Sequence, residues 1–186
     1  SNGIDFSSEL NMGSSAVEIV GKRGNVKSIP SFTLSDIADR FELQAIDFIQ
    51  RRNFWFAGDS SLQQNQLSRN FHLKPSRVLH RVTETNRLNG VLHYQYYYRF
   101  GGKNIICLDT AISYSAPADS IRPVIDLLVL SGNPKIYLKR LAAVLDIRQL
   151  VIDGSVPAWK AGFWKKDADS LQIPVHDTGE KGAFVM

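Results

Sequence analysis

Residues 123–153, PVIDLLVLSGNPKIYLKRLAAVLDIRQLVID, contain two apolar runs separated by an amphipathic stretch. The first run, residues 124–130, is apolar without alternation, which predicts a strand covered on both faces. The stretch after it repeats its apolar residues at helical spacing, at Ile136, Leu138, Leu141, Val144 and Leu145. A strand, a helix and a second strand in this order predict a parallel sheet with helices packed against it.

The pentapeptide Ser-Gly-Asn-Pro-Lys, residues 131–135, separates the first strand from the helix. Pro134 suits the first turn of a helix, and Asn133 before it suits the N-cap. Ligands of α/β proteins bind at the carboxyl ends of strands, so this loop is a candidate site. Helix amides together with the Lys135 ammonium group could hold an anion there. The candidate anion-binding residues are Ser131, Asn133, Lys135 and Lys139.

The segments after this unit continue the alternation of strands and helices. LVID predicts the next strand, AWKAGFWKKDADSL the next helix, and IPVHD and GAFVM the last strands. The segments before it are mainly β. AIDFI and FWFAGD predict two strands joined by a polar turn, RVLHRVT predicts another, and AVEIV predicts a short strand near the amino end. We therefore predict an α/β fold with a β-rich first half and a strand–helix–strand second half.

The clearest hairpin joins VLHYQYYYRF to NIICLDT through Gly101 and Gly102. Period-two alternation predicts that Tyr94, Tyr96, Tyr98 and Phe100 share one face of the sheet. Together with Arg99 these rings could stack bases, as single-strand-binding proteins do, but packing on the core is the favoured interpretation. The run AWKAGFWKK is interpreted in the same way: core packing of Trp159, Phe163 and Trp164, with solvated lysines opposite, is favoured over contact with a membrane surface.

Composition limits the class of protein. The 186 residues, 44% apolar and 22% charged, suit one globular domain. No apolar stretch reaches the roughly 18 residues that cross a bilayer. Residues 1–3, SNG, look like the remnant of a tag, so we expect a part of a larger protein. The single cysteine, Cys107, excludes an internal disulfide, and its apolar neighbours favour a buried structural thiol.

The charge balance is mildly basic, with 22 Lys and Arg against 18 Asp and Glu. This balance permits a polyanionic partner without requiring one. The sequence does not show whether the basic groups share a surface. They occur at Arg51-Arg52, at Lys74, Arg77 and Arg81, and at Lys135, Lys139 and Arg140.

Catalytic motifs are weak. None of the four histidines has the spacing that places two imidazoles on one metal ion, and no G-x-S-x-G motif is present. Asp59, Asp109 and Asp153 follow predicted strands, where metal ligands or bases often lie, but turn and cap roles are favoured. A non-standard metal site could combine Asp59, Asp109, His80 and His93.

The closing segment LQIPVHDTGEKGAFV resembles the end of the metallo-β-lactamase-like domain of ComEC-family DNA-internalisation proteins. That family closes with a Gly-Ile-Pro-Val…Thr…Gly-Ala-Val pattern, which is matched here by Ile173, Pro174, Val175, Thr178, Gly182, Ala183 and Val185. AIDFIQRRNFWFAGDS and NFHLKPSRV also resemble the Bacteroidetes variant of the domain. The resemblance covers residues 45–186 and implies a metallo-β-lactamase-like domain there, with an αββα-like fold of two sheets faced by helices. Residues 1–44 form a segment of tag remnant, loop and short strand that cannot be aligned.

The resemblance also has clear departures. The strand that should end in a Ser-His-His-Gly-Ser-type motif ends in residues 131–135, SGNPK, and no His-x-His-x-Asp-His segment occurs upstream. Asp109 lies near the place of a family aspartate and is interpreted as a relic of a metal position. Without imidazoles a metal-activated hydroxide cannot form, so the resemblance implies a degenerate fold without cofactor, a pseudoenzyme.

The predicted function is therefore that of a non-catalytic, soluble domain of a ComEC-like inner-membrane competence protein that acts in transformation. Its expected partners are DNA, single-stranded by preference, the transmembrane part of the same protein, and other uptake proteins. The periplasmic side of the membrane is favoured. The alternative is an active metal-dependent phosphodiesterase or nuclease that uses the non-standard ligand set.

Overall fold

The computed structural model describes residues 15–20, 45–58, 60–112 and 122–186. The strands are β1 Ser15–Val20, β2 Ala45–Gln50, β3 Asn53–Gly58, β4 Thr83–Glu84, β5 Leu92–Tyr94, β6 Tyr97–Phe100, β7 Lys103–Leu108, β8 Val124–Ile125, β9 Leu127–Leu130, β10 Asp146–Ile147, β11 Leu150–Ile152, β12 Val175–Asp177 and β13 Phe184–Val185. The helices are α1 Ser60–Gln64, α2 Gln66–Ser68, a π-helical turn Arg69–Leu73, α3 Lys74–Leu79, α4 Leu138–Val144, α5 Ala158–Ser170 and α6 Thr178–Lys181.

Most strands belong to two sheets. Sheet I has the order β13-β1-β2-β3-β4, and sheet II has the order β12-β11-β9-β7-β6-β5. In sheet II the pairs from β12 to β7 are parallel and the hairpin strands β6 and β5 are antiparallel. A short parallel pair, β8 and β10, lies apart from both sheets. The predicted parallel sheet of the second half is thus confirmed.

The buried side chains form layers that follow from this topology. One cluster joins Ile46 and Phe48 of sheet I to Ile105 and Val129 of sheet II, so the two sheets face each other. On the outer side of sheet II, a second cluster contains residues of α4 and α5, among them Leu141 and Trp164. On the outer side of sheet I, Leu62 and Leu73 pack against Ala45, with Phe56 beside them. The layers thus follow the order helix, sheet, sheet, helix, and their mixture of sheets and helices confirms the predicted α/β fold.

Strand β9 lies at the centre of the core. Its four residues, Leu127–Leu130, have no exposed surface, as expected for a strand covered on both faces. The apolar run is divided at Asp126, whose carboxylate accepts hydrogen bonds from the Asn104 amide at 2.9 Å and the Lys103 ammonium group at 3.0 Å. Cys107 of the neighbouring strand β7 is also buried, which confirms its structural interpretation.

The tyrosine-rich run folds differently from the prediction. The hairpin of β6 and β7 turns at Gly101 and Gly102, both with positive φ, as predicted. The run before it, however, is not one strand, because the chain turns at Gln95, where φ is 52°. Tyr94 is 73% exposed and Phe100 is 2% exposed, so the four aromatic residues do not share one buried face.

The prediction of a strand in RVLHRVT is mostly wrong. Residues 77–79 end helix α3, and only Thr83 belongs to a strand. The helix places Arg77 over β2, where its guanidinium group forms two hydrogen bonds to the carboxylate of Asp47, at 2.8 and 2.9 Å. The same guanidinium group lies 4.1 Å from the ring centroid of Phe54. A charge pair between elements 30 residues apart is invisible to local periodicity.

Candidate functional site

Four neighbouring parallel strands end in polar residues at one edge of sheet II. Leu108, Leu130 and Ile152 are paired side by side, so the residues that follow them lie in one row. Asp177, which ends β12, is paired with Ile152 and so borders the row one position earlier. We call this set the edge row: Asp109, Ser131, Asp153 and Asp177.

Asp153 is fully buried and closes a hydrogen-bonded link between two loops. Its carboxylate accepts hydrogen bonds from the Gly154 amide at 2.8 Å and from the Ser155 hydroxyl at 2.7 Å. The same hydroxyl oxygen accepts a hydrogen bond from the Gly132 amide at 2.8 Å. Burial raises the pKa of Asp153 to about 6, and the hydrogen bonds offset part of the rise.

This raised pKa predicts how stability depends on pH. From the ordinary value of 3.8 up to about 6, the carboxyl group is protonated in the folded protein only. Its contribution to stability is therefore full below the lower value and is lost as the pH rises through the higher one, by on the order of 3 kcal/mol. Urea unfolding across this range should show the fall in the wild type and a flatter profile in Asp153→Asn.

Ser155→Ala provides the matched variant for this prediction. The Ser155 hydroxyl lowers the pKa of Asp153, so its loss should move the fall in stability to higher pH. Equal pH profiles for the wild type and both variants would show that Asp153 does not titrate in this way.

Asp177 is 1% exposed, and its carboxylate is bound on both sides. One oxygen accepts a hydrogen bond from the Gly179 amide at 2.9 Å and thereby caps α6. The other lies 2.7 Å from the ammonium group of Lys165, which also contacts Glu180. The cation beside Asp177 is therefore Lys165 of the same domain and not an external ion. The prediction had no role for Asp177, although the strand-end rule applied to Asp109 and Asp153 identifies it equally well.

The edge row does not have the chemistry of a metal centre. It contains no imidazole, and the Lys165 ammonium group beside Asp177 repels a cation. Nowhere in the ranges that the structure describes do three His, Cys, Asp or Glu side chains form a group that could hold a metal ion. Asp153 and Asp177 of the edge row are therefore bonded to other groups of the protein and are not arranged as metal ligands.

The non-standard metal ligands predicted from the sequence do not form a metal-binding group among the residues that the structure describes. Asp59 lies outside the described residues, while Asp109, His80 and His93 belong to no group of three metal-binding side chains there. The ring of His93 instead stacks on Tyr98, with centroids 4.4 Å apart and planes 7° apart. Its Nε2 atom lies 2.6 Å from the Gln95 carbonyl oxygen.

The predicted helix start at Asn133 and Pro134 is wrong. Helix α4 begins at Leu138, and its N-cap residue, Tyr137, makes no side-chain capping bond. Side chains from α5 bind the carbonyl groups that an earlier helix would use. The Lys160 ammonium group binds the Pro134 carbonyl, and the Trp164 indole donates to the Ile136 carbonyl at 3.1 Å. Residues 131–137 therefore form a loop fastened to α5.

The four predicted anion-binding residues lie along this loop and α4 but have different surroundings. Ser131 is buried, and the side-chain oxygen of Asn133 accepts a hydrogen bond from Lys160 at 2.7 Å. Lys139 is 3.3 Å from Asp167, with 62% of its side chain exposed. Lys135 is exposed and close enough to Lys160 to lower the pKa of that lysine, an effect second to burial. Their role in anion binding stays a prediction.

Two sets of basic residues are carried by neighbouring elements. The first lies on the loop of residues 131–137, α4 and α5, which are joined by the contacts of Lys139 with Asp167 and of Lys160 with Asn133. We call this set the lysine surface; it contains Lys135, Lys139, Arg140, Lys160 and Lys166. The second lies on the β2–β3 turn and on the segment of residues 69–81; we call it the arginine surface, and it contains Arg51, Arg52, Arg69, Lys74 and Arg81. The Thr83 amide donates to the Arg52 carbonyl at 2.8 Å, which joins this segment to the β2–β3 turn. A groove of about 220 Å³ is lined by Arg69, Asn70, Lys74 and Arg77.

Helix α5 does not bury its aromatic residues as predicted. Only Trp164 is in the core, at 3% exposure, whereas Trp159 and Phe163 are 62% and 61% exposed. The lysines also differ from the prediction, because Lys165 points inward to Asp177 and Lys160 to the loop. The helix therefore presents two aromatic rings to solvent beside the lysine surface.

Comparison with known proteins places the chain in a family. No helix among the described residues is both long and apolar enough to cross a membrane. No curated protein and no solved structure matches the chain. A family model described as the ComEC C-terminal domain matches residues 42–186, most of the chain. The chain therefore belongs to the ComEC C-terminal domain family, and its role lies in competence, the uptake of DNA.

Proposed function

We propose that this domain contacts DNA during uptake without hydrolysing it, as an extramembrane part of an inner-membrane ComEC protein. The observation that carries the proposal is the contrast between the edge row and the lysine surface. Asp153 and Asp177 are buried and bonded within the protein, whereas the neighbouring Lys135 and Lys139 are exposed. A place suited to metal ligands is thus closed, and positive charge is exposed next to it.

The metallo-β-lactamase-like identity of the fold is part of the same proposal. The layers helix, sheet, sheet, helix support it, as does the position of Asp109 at the end of β7. Asp109 is exposed, and its carbonyl oxygen lies 3.8 Å from the point that a Cβ atom on Gly132 would occupy. Asp109 therefore lies beside the loop of residues 131–135, which supports its interpretation as a relic of a metal position. The periplasmic side of the membrane and contacts to other uptake proteins stay predictions.

DNA contact through the lysine surface is tested by binding. Labelled single-stranded and double-stranded DNA should both bind at low salt, and Lys135→Gln combined with Lys139→Gln should weaken both. Each lost phosphate contact should also reduce the slope of log affinity against log salt concentration by about 1. Lys103→Gln is the matched control, because Lys103 begins β7 and so lies at the opposite edge of sheet II. If neither form of DNA binds at low salt, the domain is instead a module for protein partners.

Absence of hydrolysis is tested separately. Elemental analysis of the purified domain should show no stoichiometric metal, and added manganese should not produce DNA cleavage. Asp109→Ala is the decisive variant. A bound metal together with cleavage that this substitution abolishes would establish the rival phosphodiesterase or nuclease and end the non-catalytic proposal.

A further inference from the structure

Three aromatic side chains are exposed beside the lysine surface. Trp159 is 62% exposed, Phe163 is 61% exposed and Tyr137 is 66% exposed. Scattered apolar residues are ordinary on a protein surface, but here Trp159 and Phe163 contact each other, and cations lie beside Trp159 and Tyr137, which indicates a binding surface. We call these three residues the aromatic group.

Two of the rings contact each other, and the third lies beside a cation. Trp159 and Phe163 are one turn apart on α5, with centroids separated by 6.1 Å and planes at 77°. Tyr137 precedes α4, and the guanidinium carbon of Arg140 lies 5.2 Å from its ring centroid. Hydrogen bonds from Lys160 and Trp164 hold the loop of residues 131–137 against α5, so the backbone that carries the three rings is held in place.

Positive charge is interleaved with these rings. The Lys160 ammonium group lies 5.9 Å from the Trp159 ring centroid and is close to Lys135. Lys166 follows Phe163 on α5 and is exposed, as are Lys135 and Arg140. Alternating rings and cations match a chain of bases linked by phosphates, because each base has a face for stacking and each phosphate a negative charge.

We propose that the aromatic group stacks unpaired bases of single-stranded nucleic acid while the lysine surface holds its phosphates. The inference rests on the proposed function, contact with DNA, and adds the residues that bind unpaired bases. A duplex hides its base faces within the helix, so it can use the lysines but not the rings. Stacking does not depend on the base, so binding is tolerant of sequence.

A lipid surface is the competing partner, and the structure favours nucleic acid over it. A helix that lies in a membrane presents a continuous apolar face. Helix α5 has two exposed aromatic rings and also carries the acidic residues Asp167 and Asp169, so it has no continuous apolar face. Tyr137 lies outside any helix, before α4. Aromatic and charged side chains thus occur together on this surface, as the binding of bases and phosphates requires.

The test compares three partners of the whole domain: a thymidine oligonucleotide of about 15 nucleotides, a duplex of equal length and vesicles of anionic phospholipid. Trp159→Ala combined with Phe163→Ala should weaken binding of the oligonucleotide about tenfold to a hundredfold and leave binding of the duplex unchanged. Trp159→Phe should keep most of the affinity, because it keeps a ring. Tyr94→Ala removes an equally exposed ring from the edge strand β5 and should have no effect.

Each other outcome overturns the inference. If the double variant binds the oligonucleotide as tightly as the wild type, the rings do not stack bases, while DNA contact through the lysines still stands. If the double variant loses vesicle binding but not oligonucleotide binding, the aromatic group is a lipid contact. Far-UV circular dichroism confirms that the exposed substitutions leave the fold intact.

Discussion

Arg77→Ala is expected to lower the free energy of unfolding by about 3–5 kcal/mol, because it leaves the Asp47 carboxylate buried without its partner. Asp47 is 4% exposed and accepts both of its side-chain hydrogen bonds from Arg77. The guanidinium group also packs over the ring of Phe54. Urea unfolding at neutral pH measures this loss of stability. Asp47→Ala should give a loss of similar size because it leaves the Arg77 guanidinium group without its partner.

The controls for this pair separate charge from packing. Arg77→Met combined with Asp47→Leu removes both charges and should recover most of the stability. Arg81→Ala removes an exposed arginine two residues beyond α3 and should change stability by no more than about 0.5 kcal/mol. A loss below about 1 kcal/mol for Arg77→Ala would show that Asp47 is hydrated or otherwise compensated.

A chain that begins at residue 42, where the family match begins, is expected not to fold cooperatively. Strand β1 lies in the interior of sheet I, paired along six residues with β2 and through Glu18 and Ile19 with β13. Its removal leaves two strand edges with unpaired amide and carbonyl groups, which also favours aggregation. Thermal unfolding followed by circular dichroism, with size-exclusion chromatography, measures both effects.

Ile19→Pro tests the same strand in the whole chain. Ile19 pairs with Ile46 on one side and Phe184 on the other, so a proline there removes a ladder amide at a central position. The expected loss is about 3 kcal/mol or more. Ile19→Val keeps the backbone amide and is the matched control. A truncated chain with the melting temperature of the whole chain would show that β1 is dispensable.

The parallel part of sheet II could be predicted because its signal is local. Residues 127–130 and 150–152 are apolar without alternation, and each is followed by a polar residue at a strand end. The prediction of α3 as a strand failed because Arg77 is oriented by Asp47, a contact between distant parts of the chain.

The position of the loop of the candidate site after a strand was predicted, but the local structure of that loop was not. The loop of residues 131–135 does follow a strand, yet Lys160 and Trp164 of α5 bind its carbonyl groups and so delay α4 to Leu138. The exposure of Trp159 was missed for a related reason. Helical spacing groups Trp159 and Phe163 with Trp164, but only Trp164 finds an acceptor in the core, the Ile136 carbonyl. Periodicity describes a helix face and does not decide which edge of that face is covered.

The pairing of β13 with β1 has a consequence for biosynthesis. Val185 and Phe184 lie opposite Glu18 and Ile19, so sheet I is complete only after residues 15–185 have left the ribosome. Until then the edge of β1 that faces away from β2 is unpaired and can pair with other nascent chains. Closure by a contact of such long range is intrinsically slow. The domain therefore depends on its last strand being translated promptly, and a pause before residue 184 would prolong its most aggregation-prone state.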